Sequence, residues 1–299
     1  MINASGMSRL VGLIRFYWGI LTRDDRVHSA AQWNEFLRVR DVLETKLGNL
    51  DGKRILELGC GRFYPTTLLL SSSGRLVLGI DTAYVSPQAR LFKRLSGAYR
   101  IEGSLGLGKE LALTIFRKER NYRANLRRVS GSDVQSNNMN VARMDAQNLA
   151  ISDDSFDAVV SIATLEHIHD VRKVVEETCR VLRTGGVGYH AIHLFPSLSG
   201  GHHPCWEWPD EVARNHRRTE APPWDHLRAQ VAVFDKSLNG LRKEDYISVF
   251  SDVFEKAEFI AEPDEGAQHF LTPDVRSELR RWSDEDLLTR TLIVVYQKA

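Results

Sequence analysis

The chain has 299 residues, 42% hydrophobic and 26% charged, with a formal net charge of +1. That balance is ordinary for a soluble globular protein of one large domain, and it excludes the strongly basic class that binds nucleic acid through charge alone. Three cysteines, Cys60, Cys179 and Cys205, lie far apart and are odd in number, which speaks against a disulfide framework and for a reducing, cytoplasmic setting.

Leu10 to Leu21 (LVGLIRFYWGIL) is apolar but interrupted by Arg15, and it is too short to span a bilayer. No small-residue cleavage site follows it cleanly, so it does not read as a signal peptide. Val11, Ile14, Trp18 and Leu21 share one helical stripe. The stretch reads as a helix packed on the domain, within an N-terminal helical cap over 1–48. Peripheral membrane contact through 10–21 is the alternative.

From residue 49 the chain alternates. KRILEL (Lys53 to Leu58) is a short apolar run between Asp51-Gly52 and Gly59 and predicts a buried strand. Pro65 to Leu70 predicts a helix with Pro65 in its first turn. RLVLGI (Arg75 to Ile80) predicts a second strand ending at Asp81, and a helix follows around Pro87 to Leu95. Residues 96–138 read as an insertion, with a charged helix from Glu110 to Leu126 and a polar loop from Ser130 to Asn138. Met139 to Met144 and Asp157 to Ile162 predict two further strands. Val174, Val175, Thr178, Val181 and Leu182 share one face of a helix over Val171 to Leu182, which Thr184-Gly185-Gly186 stops. Val187 to Leu194 is a fifth strand. Such alternation argues for an α/β fold, a parallel sheet with helices on both faces.

A second insertion covers 196–240. It is rich in proline, aromatic rings and histidine, the composition of a functional loop rather than a disordered one. Helices over Lys243 to Phe254 and Asp274 to Trp282 follow, the latter with Thr272 as N-cap and Pro273 at its first position. Strands over Phe259 to Glu262 and Arg290 to Gln297 are also expected, the latter strongly apolar (RTLIVVYQ).

The turn after the first strand, Gly59-Cys60-Gly61, suits a nucleotide-type cofactor, yet Tyr64 stands where a dinucleotide fingerprint needs its third glycine. Asp81 follows the second strand, twenty residues after Gly61, where a carboxylate accepts both ribose hydroxyls. Asp145 follows the third strand, placed to accept the exocyclic amine of an adenine, with Ala146 against the ring.

The ordered segments E-L-G-C-G, G-I-D, M-D-A, S-F-D-A-V-V-S, L-E-H-I-H-D and R-V-L-R-T-G-G resemble those of class I S-adenosylmethionine (SAM) dependent methyltransferases, nearest the small-molecule type 11 branch with the ubiquinone and menaquinone enzymes. The resemblance covers about residues 50–195 and returns at the C-terminus. It implies a Rossmann-like seven-stranded sheet in the order 3-2-1-4-5-7-6 with an antiparallel last strand. It also implies SAM as cofactor, with Glu57, Gly59, Cys60 and Gly61 at its methionine end and Asp81 on the ribose. Thr82 then flanks the adenine, Asp145 and Ala146 hold its edge, and Ser161 and Ile162 lie beneath the methionine. Phe63 departs from the glycine usual there; Phe63 and Tyr64 either pack between helix and sheet or set a ring beside the sulfonium.

Methyl transfer to a hydroxyl needs a base of near-neutral pKa. His167 after the fourth strand is one candidate. His193, His202 and His203 in HLFPSLSGGHHPCWEWP are the others, with Trp206, Trp208 and Trp224 offered for stacking on a sugar or aromatic ring. No paired zinc-type spacing appears, so no metal is expected. The expected activity is O-methylation of a small molecule or glycan; N- or C-methylation and a non-catalytic SAM-binding module remain open. Nucleic acid is disfavoured, since SIATLEH stands where an N/D-P-P-Y/F tetrapeptide would follow the fourth strand. The basic stretch Arg117 to Arg128 reads as a solvated helix face or as a site for an anionic substrate.

Overall fold

A computed structural model describes residues 25–72, 75–83, 91–131, 139–207, 209–216, 219, 221–228 and 237–299. The apolar stretch 10–21, the first turn expected for the helix at 87–95, most of the polar loop before Met139, and Trp208 lie outside the described residues.

Among these, seven strands form one sheet: β1 (Arg54–Leu58), β2 (Leu76–Asp81), β3 (Met139–Arg143), β4 (Phe156–Ile162), β5 (Leu182–His193), β6 (Ala257–Pro263) and β7 (Thr289–Gln297). Their order is β3-β2-β1-β4-β5-β7-β6. β1 to β5 run parallel, and β7 is antiparallel to both of its neighbours. The helices are α1 (Asp25–Leu47), α2 (Pro65–Ser71), α3 (Leu91–Ile115), α4 (Lys118–Ser130), α5 (Val171–Val181), α6 (Pro209–Arg214), α7 (Lys243–Val253), α8 (Pro273–Glu278) and α9 (Asp284–Leu288). β1 and β4 are neighbours whose following connections leave in opposite directions along the sheet. Their carboxyl ends therefore open the crevice in which doubly wound sheets bind ligands.

Burial follows the pattern of each element. FDAVVSI of β4 is buried along nearly its whole length, as a central parallel strand with helices on both faces must be. In α5, Val171, Val174, Val175, Thr178 and Val181 make the buried stripe, and Asp170 caps the helix by accepting from the Lys173 amide at 3.1 Å. One face of the sheet packs Val39 and Leu43 of α1, Leu68 and Leu69 of α2, and Tyr122 and Leu126 of α4 against Ile55, Val160 and Tyr189. The other packs the α5 valines with Tyr246 and Phe250 of α7 against Leu56, Val159 and Tyr296.

Helix boundaries differ from the sequence expectation in three places. The charged helix expected over Glu110 to Leu126 is two helices, broken at Arg117, which adopts a left-handed φ of 50°. The break lets α4 fold back so that Tyr122 and Leu126 reach the core. Thr184-Gly185-Gly186 does not stop α5: the helix ends at Val181, and Leu182 already pairs with Phe156 as the first residue of β5. α8 ends at Glu278 rather than Trp282, because Leu279 and Trp282 turn into a third hydrophobic cluster. That cluster also holds Trp206 and Trp224, both fully buried, so these rings are core and do not stack on a substrate.

Gly188 shows how tightly β5 and β7 meet. It pairs with Tyr296, and a Cβ added there would stand 2.0 Å from that ring. The ring cannot retreat, since it stacks on Phe254 with centroids 3.7 Å apart. Gly188→Ala is expected to lower unfolding stability by about 2–3 kcal/mol, read as a shifted urea midpoint; an unchanged midpoint would mean that the ring yields without cost.

Candidate functional site

The loops at the carboxyl ends of β1, β2, β4 and β5 bring most of the expected residues together. Gly59 has φ 66°, and its Cα abuts Thr164 so closely that a Cβ would lie 2.3 Å from that side chain. Thr164 Oγ1 in turn donates to the Leu58 carbonyl at 3.3 Å, so the loops after β1 and β4 are locked against each other. Gly61 has φ 65° and faces open space, where a Cβ would meet nothing within 4 Å. Its amide donates to Asp81 Oδ2 at 3.0 Å, while Asp81 Oδ1 accepts the Ala83 amide at 2.7 Å. Asp81 is thus held by backbone at both oxygens, at the rim of the crevice.

Glu57 is buried beneath this loop and accepts a hydrogen bond from Thr67 Oγ1. Burial pushes its carboxyl up to about 7, with a smaller push from the charge of Asp81. Cys60 is buried, and burial pushes its thiol up, so it is no nucleophile. The raised Glu57 has a sign that can be worked out. The folded state holds the proton more tightly than the unfolded chain, so its contribution is present below pH 4.5 and lost as pH rises through 7. Wild-type stability is therefore expected to fall by up to about 3 kcal/mol more than that of Glu57→Gln between pH 4.5 and 8. Urea unfolding of both chains across that window checks this, and parallel profiles would contradict it.

Asp145 is exposed and makes a local turn, its Oδ1 accepting the Gln147 amide at 2.9 Å; Ala146 beside it is buried. Thr82 is exposed, with its carbonyl accepting from Arg143 Nε at 2.9 Å. Ser161 is not brought into the crevice by its side chain. Alternation along β4 turns it to the opposite face, where its Oγ meets His190 Nδ1 at 2.7 Å, fully buried. Ile162 points the other way, onto the α1–α2 side. Phe63 and Tyr64 pack: Phe63 stacks on Tyr122 with centroids 5.2 Å apart, and Tyr64 is fully buried with its hydroxyl bonded to Arg123.

The histidines divide. His202, with φ 54°, brings its Nε2 to 3.2 Å from His193 Nδ1. His193 Nε2 lies 2.9 Å from Ser199 Oγ, which donates to Asp264 Oδ2 at 2.8 Å. Burial, and after it the charge of Arg290, holds His193 well below the ordinary histidine pKa, so it is neutral near pH 7. The tautomers then follow from the network. With the Ser199 hydroxyl donating to Asp264, His193 donates from Nε2 and accepts at Nδ1, and His202 donates from Nε2 and carries its lone pair on Nδ1. His167 joins this group, its ring 5.1 Å from that of His202 and its Nδ1 2.7 Å from Ser237 Oγ. His203 does not join: its Nδ1 accepts the Cys205 amide at 3.2 Å and caps the short turn Pro204–Trp206. Ser199, Asp264 and Asn239 were not singled out from the sequence. Asn239 fastens the turn that carries His167 by donating to the Leu165 and Ile168 carbonyls at 2.8 and 2.9 Å.

Residues 109–189 match the family described as methyltransferase domain, a span from the inserted helices through most of β5. This match and the observed sheet order agree with the class I methyltransferase resemblance of the sequence. That resemblance implies SAM as the cofactor. No curated protein matches the chain in sequence. Among solved structures it is similar to a chain from the Haloferax volcanii complex of the Trm112 methyltransferase activator with a methyltransferase, at 17% identity over 95% of this chain and 97% of that one (TM-score 0.46). It is also similar to Haemonchus contortus phosphoethanolamine N-methyltransferase 2, at 15% identity over 89% and 52% (TM-score 0.45). A third is the Chlamydomonas reinhardtii arsenic(III) SAM methyltransferase, at 19% over 83% and 64% (TM-score 0.43). The methyltransferase crevice fits SAM on its own chemistry. The open side of Gly61 leaves room for a ligand against the backbone, the anchored Asp81 suits a ribose diol, and the exposed Asp145 suits an amino group. No helix among the described residues is long and apolar enough to cross a membrane.

Proposed function

We propose that this protein is a SAM-dependent methyltransferase that transfers a methyl group to a hydroxyl of a small molecule or glycan. SAM, when bound, supplies a methyl group on a sulfonium, which needs only an aligned nucleophile. On this reading Glu57, Gly59, Cys60 and Gly61 face its methionine end, Asp81 and Thr82 its ribose and adenine, and Asp145 and Ala146 the adenine edge, with Ile162 below. The single observation that carries the hydroxyl reading is the chain His202–His193–Ser199–Asp264. It sets a histidine with its lone pair on Nδ1 at the carboxyl end of the sheet, a base of the kind an acceptor hydroxyl requires. His202 acts on that hydroxyl and takes up its proton; His193, Ser199 and Asp264 position it.

A second observation favours an anionic acceptor. Arg94, Arg117, Arg120, Arg123 and Arg127 line one cleft on α3 and α4 against a single acid there, Glu119, and Arg123 also reaches Tyr64 at the glycine loop. Incubating the full chain with trideuteromethyl SAM and hydroxylated metabolites and oligosaccharides, with and without phosphate groups, tests both points. A trideuteromethyl ether, formed faster on the phosphorylated members, is the expected product by mass spectrometry. A labelled amine or C-methyl product as the main one would overturn the reading.

A further inference from the structure

We propose that Glu166, His167 and His202 bind one divalent first-row transition-metal ion at the carboxyl ends of β4 and β5. One ligand atom from each lies within 4.8 Å of the other two. Metal–nitrogen and metal–oxygen bonds of about 2.0–2.2 Å hold ligand atoms up to about 4 Å apart, so small side-chain rotations close the set. Two imidazoles and one carboxylate suit zinc, iron, cobalt or manganese rather than calcium or magnesium, and they leave coordination positions open.

The surroundings are those of a built site. Glu166 is 1% exposed, so its carboxylate lies where a cation is worth most. Each histidine has one ring nitrogen engaged by a neighbouring side chain: His167 Nδ1 by Ser237 Oγ at 2.7 Å, and His202 Nε2 by His193 Nδ1 at 3.2 Å. Such outer partners orient metal-binding imidazoles and choose the nitrogen that binds. The backbone of the Glu166–His167 turn is pinned by Asn239, whose own amide donates to the Glu166 carbonyl at 2.8 Å. His202 is held at a φ of 54°, a conformation a non-glycine residue keeps only when its surroundings enforce it. Thr164, two residues before Glu166, abuts Gly59, so the ion lies beside the cofactor loop.

The role in reaction rests on the hydroxyl reading above; the binding does not. An ion with open positions takes the acceptor oxygen as a ligand and lowers its pKa. With the ion bound, His202 Nδ1 is its ligand and no longer the base: the hydroxyl proton passes to water, the O–CH3 bond forms as the S–CH3 bond breaks, and the electron pair of the broken bond stays on sulfur as the neutral thioether.

The test uses the full chain stripped with chelator and titrated with Co2+, read by visible absorption, with SAM calorimetry and thermal melting on the same samples. One Co2+ per chain is expected, with affinity at least about tenfold weaker in Glu166→Gln and in His202→Ala and unchanged in His203→Ala. SAM affinity stays the same in all of them. His202 is only part-buried, so His202→Ala decides the matter if Glu166→Gln fails to fold. A folded, SAM-binding wild type that takes up no Co2+, or equal uptake by wild type and His202→Ala, overturns the site. Turnover that survives chelation overturns the ion's part in the reaction and leaves His202 as the base. Loss of SAM binding with Co2+ uptake intact would instead count against the cofactor assignment alone.

Discussion

Asp81→Ala is expected to weaken SAM binding by at least about a hundredfold. The carboxylate has two tasks in one place. Its oxygens accept the Gly61 and Ala83 amides at 3.0 and 2.7 Å, which sets the glycine loop against the end of β2. Its remaining lone pairs face the rim, where a ribose diol would donate to them. Hydrogen bonds to a charged group contribute about 1.5–3 kcal/mol each, so two lost together reach about 10²-fold or more before loop disorder is counted. Asp81→Asn keeps an acceptor and is expected to fall between the two. Calorimetry reads the effect directly, and a loss below about fivefold in Asp81→Ala would mean that the ribose is held elsewhere.

His202→Ala is expected to lower kcat by about 10²–10⁴ while SAM affinity stays as in the wild type. That is the range a positioned acid–base group contributes. The loss belongs to the acceptor step, because His202 lies in the loop after β5, where its Nε2 meets His193 rather than the cofactor loops. Ser199→Ala is expected to lower kcat less, since it only removes the group that fixes the His193 tautomer; Ser199→Thr keeps the hydroxyl and restores most of the rate. His203→Ala is expected to change kcat by less than about twofold, because that side chain caps a turn. Equal losses in His202→Ala and His203→Ala would mean that the loop matters only as a scaffold.

The fold was legible because each strand end carries its own punctuation. Gly59, Asp81 and Asp145 each follow an apolar run closely enough to be read as loops at one edge of a parallel sheet, and the observed order bears this out. The helix break at Arg117 was not legible. FRKER has no glycine or proline, and the turn is forced by the need of Tyr122 and Leu126 to reach the core. The aromatic run after β5 misled for a different reason. Trp206 and Trp224 look alike as substrate platforms and as core, and only the distant Leu271, Leu279 and Trp282, which bury them, decide between the two.

The site was legible in part. Short motifs mark groups that act alone, such as Asp81, and Gly-Gly-His-His marked a loop with two histidines but not which of them turns inward. The partners that hold His202 and His167 in place lie far off: Asp264 is 65 positions from Ser199, and Asn239 is 74 from Leu165. Neither has a local pattern to announce it. Glu166, His167 and His202 likewise lack the paired spacing of a zinc motif because they come from the ends of two different strands.

Calorimetry of the wild-type chain with SAM tests most directly whether the loops around Gly61, Asp81 and Asp145 form a cofactor cradle. Saturable binding of one SAM per chain, lost in Asp81→Ala, is the predicted result. A folded wild-type chain that gives no heat beyond dilution would contradict it.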